Sequence, residues 1–321
     1  MNRPLLKITD LKKYFPIKGG LFGRPVGWVR ALDGVSFEID RGEAFGLVGE
    51  SGSGKTTLGQ TVLRMQEKTS GQVLFDGMDI HALSPKEYQK THTRMQYIFQ
   101  DPYSSLNPRL RIGDAIAEPL LVHGLAAKAN VRDRVENILT QCGMSGRFMD
   151  RYPHEFSGGQ RQRIVIARAM ALNPEFVVAD EPVSSLDVSI QAQIINLFSD
   201  LQEERKLAYL FISHDLGIVE HLCSRIAIMY LGLVVEMATR DELFSNSIHP
   251  YTRALLSAVP IPDPERKRNR IVLKGDIPSP ENPPSGCRFH TRCPYAKKIC
   301  RERIPEFRQV KDGHQVACHL F

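Results

Sequence analysis

The chain has 321 residues, 42% of them hydrophobic, with 42 Lys and Arg against 36 Asp and Glu, 24 Gly, 20 Pro and 6 Cys. That composition is globular: it is too apolar and too balanced in charge for a disordered chain, and the length allows a large domain with an appendage, or two domains. The longest nearly apolar run, Ile226 to Val235, falls well short of the roughly 18 to 20 residues a bilayer-spanning helix needs, so no segment is expected to cross a membrane.

From Met1 to Lys7 there is no apolar core of a secretory signal, because Lys7 and Asp10 interrupt the stretch early, and a cytoplasmic protein with reduced thiols is expected. The first informative run is Ala44-Phe45-Gly46-Leu47-Val48, of strand length. It leads straight into Gly49-Glu50-Ser51-Gly52-Ser53-Gly54-Lys55-Thr56 and then, from Thr57 to Leu63, into a stretch that can open a helix. This is G-x-x-x-x-G-K-[ST] in a strand-loop-helix context. The glycines let backbone N–H groups turn inward around phosphates, Lys55 reaches the β and γ phosphates, and Thr56 offers a hydroxyl to Mg²⁺.

Beyond it, Tyr97-Ile98-Phe99 reads as a strand that delivers Gln100. Residues 102 to 168 change character, with helices expected at Asp114–His123 and Val131–Cys142, and a third at Arg161–Leu172. Ser157 is a natural N-cap for that third helix, and the amides of Gly158 and Gly159 form an anion-binding start before Gln160. Phe176-Val177-Val178-Ala179 is a buried-type strand running into Asp180 and Glu181, where parallel sheets keep their ligand sites. Asp180 suits Mg²⁺ and Glu181 suits polarising a water. Leu210 to Ser213 is one more strand, and His214 at its end can donate a hydrogen bond to a γ-phosphate.

Taken singly, Gln100, Ser157-Gly158-Gly159 and His214 are weak signals. In this order on these strands they are specific, and over roughly residues 4 to 260 the chain resembles the ATP-binding cassette (ABC) family of P-loop NTPases. The resemblance implies an α/β cassette core with an inserted helical subdomain at about 102–168. It also implies a Q-loop at Gln100, a signature at Ser157–Gln160, catalytic roles for Glu181, His214, Gln100 and Asp180, and Mg²⁺ held by Thr56, Gln100 and Asp180. Residues Gly49 to Thr57 would hold ATP, with Phe15 or its rival Tyr14 under the adenine and Asp187 in the D-loop. Two departures, Glu155-Phe156 before the signature and Ser185 in the D-loop, remove no catalytic group. The family works as a head-to-tail dimer in which one subunit's signature closes on ATP held by the other. A single cassette therefore implies a second ATPase chain.

Composition shifts near residue 260, dividing the chain into a cassette, 1–260, and an extension, 261–321. The extension carries 13 Lys and Arg against 7 Asp and Glu, together with 8 prolines and 4 cysteines. Cys287, Cys293, Cys300 and Cys318 are spaced C-x5-C-x6-C-x17-C, a pattern more in keeping with metal or cluster ligands than with disulfides in a reducing compartment, and one that does not choose between zinc and iron-sulfur. Few large apolar side chains lie here, so the extension is expected to be a small unit organised by its ligand. Cys142 and Cys223 read as core positions. The run Ile277 to Cys287, with His249-Pro250-Tyr251-Thr252-Arg253 and Pro102 to Pro108, resembles ATPase subunits of bacterial oligopeptide and dipeptide importers. That resemblance implies a [4Fe-4S] cluster on the four cysteines, with Zn²⁺ as the alternative. It further implies a non-identical ATPase partner, two transmembrane permease subunits, an extracytoplasmic peptide-binding protein, and a peripheral place on the cytoplasmic side of the membrane. A nucleic-acid ATPase is the rival reading, but the basic tail lacks interleaved aromatics and the chain lacks a second cassette or long coiled-coil insert, so no nucleic-acid partner is expected. A cassette fold kept only as a regulatory module would have lost Glu181 or His214, and both are present.

Overall fold

The computed structural model describes residues 3–19, 24–259 and 270–321; the boundary expected near residue 260 lies outside the described residues. The chain forms two compact units, one comprising Met1–Asp40, Ala44–Ala82 and Ser213–Phe321, the other Arg41–Glu43 and Leu83–Ile212.

In the first unit, β1 (Leu6–Gly19) pairs antiparallel with β2 (Arg24–Ile39). Next come β3 (Ala44–Val48), α1 (Lys55–Val62), β4 (Ser70–Phe75) and β5 (Met78–Asp79). β4 pairs with both β1 and β5, giving a four-stranded antiparallel sheet in the order β2-β1-β4-β5. Every residue of β3 is buried, as a strand covered on both faces requires.

The second unit holds α2 (Pro85–His92), β6 (Met95–Ile98), α3 (Ile112–Val122), α4 (Val131–Gln141), α5 (Gly158–Met170), β7 (Phe176–Asp180), α6 (Val188–Arg205) and β8 (Ala208–Ser213). β6, β7 and β8 run parallel, with Ile98 opposite Ala179 and Asp180 opposite Ile212, so three strand ends open on one side of the sheet. The helices expected in the insert are present as α3, α4 and α5. The last starts three residues earlier than expected, because the Ser157 cap admits Gly158-Gly159-Gln160 to its first turn.

The chain then returns to the first unit through α7 (Leu216–Leu222), β9 (Arg225–Tyr230), β10 (Leu233–Thr239), α8 (Arg240–Asn246) and α9 (Pro250–Ala258). β9 lies parallel to β3. The extension adds α10 (Lys298–Glu302), β11 (Arg308–Lys311) and β12 (His314–Val316), and β12 pairs antiparallel with β10. The extension, expected to be organised by a ligand, is anchored by ordinary packing as well. Phe289 is buried against the rings of Tyr230, Tyr251 and His249, and the β11–β12 hairpin extends the sheet of β9 and β10. Cys142 and Cys223 are buried, as expected, and burial pushes the Cys142 thiol up to about 12.

Candidate nucleotide site

The phosphate-binding loop belongs to the first unit. β3 delivers Gly49, and α1 begins at Lys55. Gly54 caps α1 at φ +105, where a side chain is strained, and a Cβ on it would come within 2.3 Å of the Ala31 carbonyl oxygen. Lys55 is only 5% exposed, a burial a lysine tolerates when its ammonium is hydrogen-bonded. It donates to the carbonyls of Gly49 at 2.7 Å and Glu50 at 3.1 Å, which draws the side chain across the loop. Ser51, Gly52 and Thr56 face solvent, and Ser53 is buried with its N–H donating to the Glu50 carbonyl at 3.1 Å. Thr57 sits half-buried in the first turn of α1.

On β1, Tyr14 and Phe15 are both half-buried, but their polar surroundings differ. The Tyr14 hydroxyl donates to Asp33, and burial together with that carboxylate pushes the phenol up to about 12. Phe15 carries the Lys13 ammonium 4.7 Å from its ring centroid. Tyr14 is thus tied through its hydroxyl to β2, whereas Phe15 has no polar group to be held in that way. His214 is exposed just past β8, where the Ser213 hydroxyl accepts the Asp215 N–H at 3.0 Å and Asp215 caps α7.

The second unit holds Asp180, Glu181 and Gln100, the residues expected to serve hydrolysis. Asp180 ends β7 at 3% exposure, and the Tyr97 hydroxyl, from β6, donates to its Oδ2 at 2.7 Å. Burial, with Asp180 adding to it, holds the Tyr97 phenol far above its ordinary range, so it stays a donor. Glu181 adopts φ +46, the left-handed region, which costs a side-chain-bearing residue on the order of 1 kcal/mol. Its N–H donates to the Ile212 carbonyl at 2.9 Å, and its carbonyl accepts from Ser184, so neighbouring strands impose the turn. The Gln100 side-chain amide donates to Glu181 Oε2 at 2.9 Å, which joins the Q-loop residue to the carboxylate expected to polarise water.

The signature forms a reciprocal cap. Ser157 Oγ accepts the Gln160 N–H, and the Gln160 side chain accepts the Ser157 N–H. Ser157 is exposed, and the first-turn amides of α5 offer an anion site. A Cβ on Gly159 would meet Ile190 of α6 at 2.4 Å, so glycine lets the two helices approach. Asp187 is exposed at the N-terminus of α6, its carbonyl accepting from Ile190 and Gln191. Sequence reasoning missed Tyr97, since nothing in its spacing from Asp180 marks a cross-strand partner.

The four cysteines of the extension share one neighbourhood: burial pushes the Cys287 thiol up to about 11, with Cys300, Cys318 and Cys293 adding to the rise. Among the described residues, however, no group of three or more His, Cys, Asp or Glu side chains could hold a metal ion. That gives no support to the expected cluster or to its zinc alternative. Missed altogether were Arg288 and Arg292, which lie between the cysteines in sequence; Arg292 turns to the phosphate loop and Arg288 to β2 and Leu231. Arg292 grips both carboxylate oxygens of Glu50, at 2.6 and 3.1 Å, and Arg288 donates to Asp33 and to the Leu231 carbonyl.

Comparison with known proteins agrees with this arrangement. Residues 32–184 match the ABC transporter family, and residues 235–300 match the oligopeptide/dipeptide transporter C-terminal region. The chain is 55% identical over 320 residues to the oligopeptide transport ATP-binding protein AppF of Bacillus subtilis, covering 99% of this chain and 97% of that one. It is 52% identical over 315 residues to a putative peptide import ATP-binding protein of Brucella ovis, covering 98% and 97%. Among solved structures it resembles a dimeric ATP-binding cassette in a post-hydrolysis state with ADP and phosphate, at TM-score 0.65 and 27% identity, covering 73% of this chain and 98% of that one. No helix among the described residues is long and apolar enough to cross a membrane. The phosphate loop on β3, the acids ending β7 and the near full-length identity together place the chain in the ATP-binding cassette family of transporter ATPases.

Proposed function

We propose that this chain is one of two ATPase subunits that drive a peptide importer from the cytoplasmic face of the membrane. What carries the reading is the match along almost the whole chain, extension included, to peptide-transport ATP-binding proteins. Residues Gly49 to Thr57 bind the triphosphate, Phe15 stacks on the adenine, and Ser157 to Gln160 with Asp187 close on nucleotide held by a second, non-identical ATPase. Glu181, oriented by Gln100, polarises the attacking water, and His214 donates to the γ-phosphate. Thr56, Gln100 and Asp180 suit Mg²⁺, which supplies charge neutralisation on the phosphates; the buried Asp180 carboxylate with its Tyr97 donor fits that use. Two permease subunits receive the motion, and a peptide-binding protein outside the membrane delivers substrate. Residues 1–260 act as the cassette and 261–321 as its extension. Co-expression with a permease pair and the second ATPase tests this reading. A complex should copurify and hydrolyse ATP, and failure of any membrane protein to copurify would count against it.

The finer reading of the extension is a [4Fe-4S] cluster on Cys287, Cys293, Cys300 and Cys318. It rests on the family resemblance and on the shared neighbourhood of the four thiols. A cubane, whose ligating sulfurs stand farther apart than those around one ion, asks for less gathering than zinc does. Anaerobically purified protein without iron and acid-labile sulfide would end it.

A further inference from the structure

Glu50 is the only acidic residue in the phosphate loop, Gly49 to Thr56. A carboxylate there works against the loop's purpose, since its charge repels the phosphates that the backbone amides and Lys55 attract. The structure surrounds this residue closely. Its N–H donates to the Tyr251 hydroxyl at 3.0 Å, and its carbonyl accepts the Ser53 N–H at 3.1 Å and the Lys55 ammonium at 3.1 Å. Its carboxylate takes the two-pronged guanidinium of Arg292, which reaches it from 242 positions away in sequence. The Arg292 side chain is 8% exposed and that of Glu50 27%, so water screens this pair only in part. Phe289, three residues before Arg292, anchors the segment against Tyr230 and Tyr251.

We propose that Arg292 is a positioning residue for ATP: by neutralising and fixing Glu50, the extension completes the phosphate loop of its own chain. Arg288 supplies a second hold through Asp33, which also accepts the Tyr14 hydroxyl, so two arginines of the extension brace the loop and the strand pair beside it. The inference rests on reading Gly49 to Thr56 as the ATP loop.

The test is equilibrium binding of trinitrophenyl-ATP with Mg²⁺ to the full chain at a temperature where each variant is folded, alongside apo melting temperature. Arg292→Ala should weaken binding about tenfold, because it leaves an unneutralised carboxylate beside the phosphates. Arg292→Ala combined with Glu50→Gln should recover most of the loss. Arg292→Gln, which removes the charge but keeps most of the side chain's length, should weaken binding by a similar factor and be rescued in the same way by Glu50→Gln. Lys298→Ala, at a position 91% exposed, serves as the control. A structural role alone would lower the melting temperature of Arg292→Ala without changing affinity, and Glu50→Gln would not rescue it. Wild-type affinity in Arg292→Ala, or absence of rescue in the double variant, would each overturn the proposal. Should Arg292→Ala fail to fold, Arg292→Gln, alone and with Glu50→Gln, is read by the same two outcomes. If the wild type does not bind, or Lys55→Ala binds equally well, the ATP reading itself fails.

Discussion

Replacing Tyr97 by Phe removes one oxygen and leaves the ring in place against Phe99, 4.6 Å away between centroids. The lost group is the donor to Asp180 Oδ2 at 2.7 Å. Asp180 is 3% exposed, so water does not readily replace that donor. A hydrogen bond to a charged acceptor contributes about 1.5–3 kcal/mol, and a carboxylate left short of a donor in a buried setting falls in the same range. At roughly 2–4 °C per kcal/mol, the melting temperature should drop by about 3–12 °C. Asp180 also loses the partner that fixes its rotamer, so the Mg²⁺ concentration giving half-maximal ATPase should rise while metal-free ATP binding stays unchanged. Thermal melting and a Mg²⁺ titration of hydrolysis measure both. A Tyr97→Phe protein that melts with the wild type and needs no more Mg²⁺ would refute the role given to this bond.

Glu181→Gln should retain nucleotide binding and nearly abolish turnover, because the phosphate loop is intact and only the polarising carboxylate is gone; single-turnover hydrolysis reads it. Gly158→Asp should cut hydrolysis while sparing ATP affinity in the isolated chain, since the added charge would meet nucleotide held by the partner; a binding loss as large as that of Lys55→Ala would remove the signature from the partner's site. Burial lowers the His249 imidazole to about 3, while its Nδ1 accepts the Tyr251 N–H. The unfolded chain takes up this proton below about pH 6.5 and the folded one does so only near 3, so this residue's contribution to stability is full above pH 6.5 and declines as the pH falls toward 3. Acid unfolding curves should show that decline, and His249→Asn, which can still cap α9, should flatten it.

Much of the cassette was legible because its chemistry is local. Ala44–Val48 and Phe176–Ala179 are continuous apolar runs, the pattern of strands buried on both faces; the first has the limits of β3, and β7 takes in the second together with Asp180. Ser157 and Gln160 announce a helix start by their own spacing, although the expected helix began only at Arg161. What stayed hidden depends on residues far apart in sequence. Tyr97 meets Asp180 across the parallel β6–β7 pair, and no spacing rule links them. The extension misled for a related reason: its many prolines and cysteines suggested little core of its own, whereas Phe289 and β12 borrow core from β9, β10 and α9. Arg288 and Arg292 looked like part of a solvated basic surface, yet both side chains are under 10% exposed and bound to carboxylates.

Peptide uptake into proteoliposomes reads the proposed function itself. The vesicles would carry this chain, its partner ATPase and the permease pair, with ATP on the face that bears the ATPases and the peptide-binding protein on the other. Labelled peptide should accumulate in the vesicles only with ATP, faster with the binding protein, and not at all with Lys55→Ala or Glu181→Gln. Uptake that persists at the wild-type rate with either variant would contradict that function.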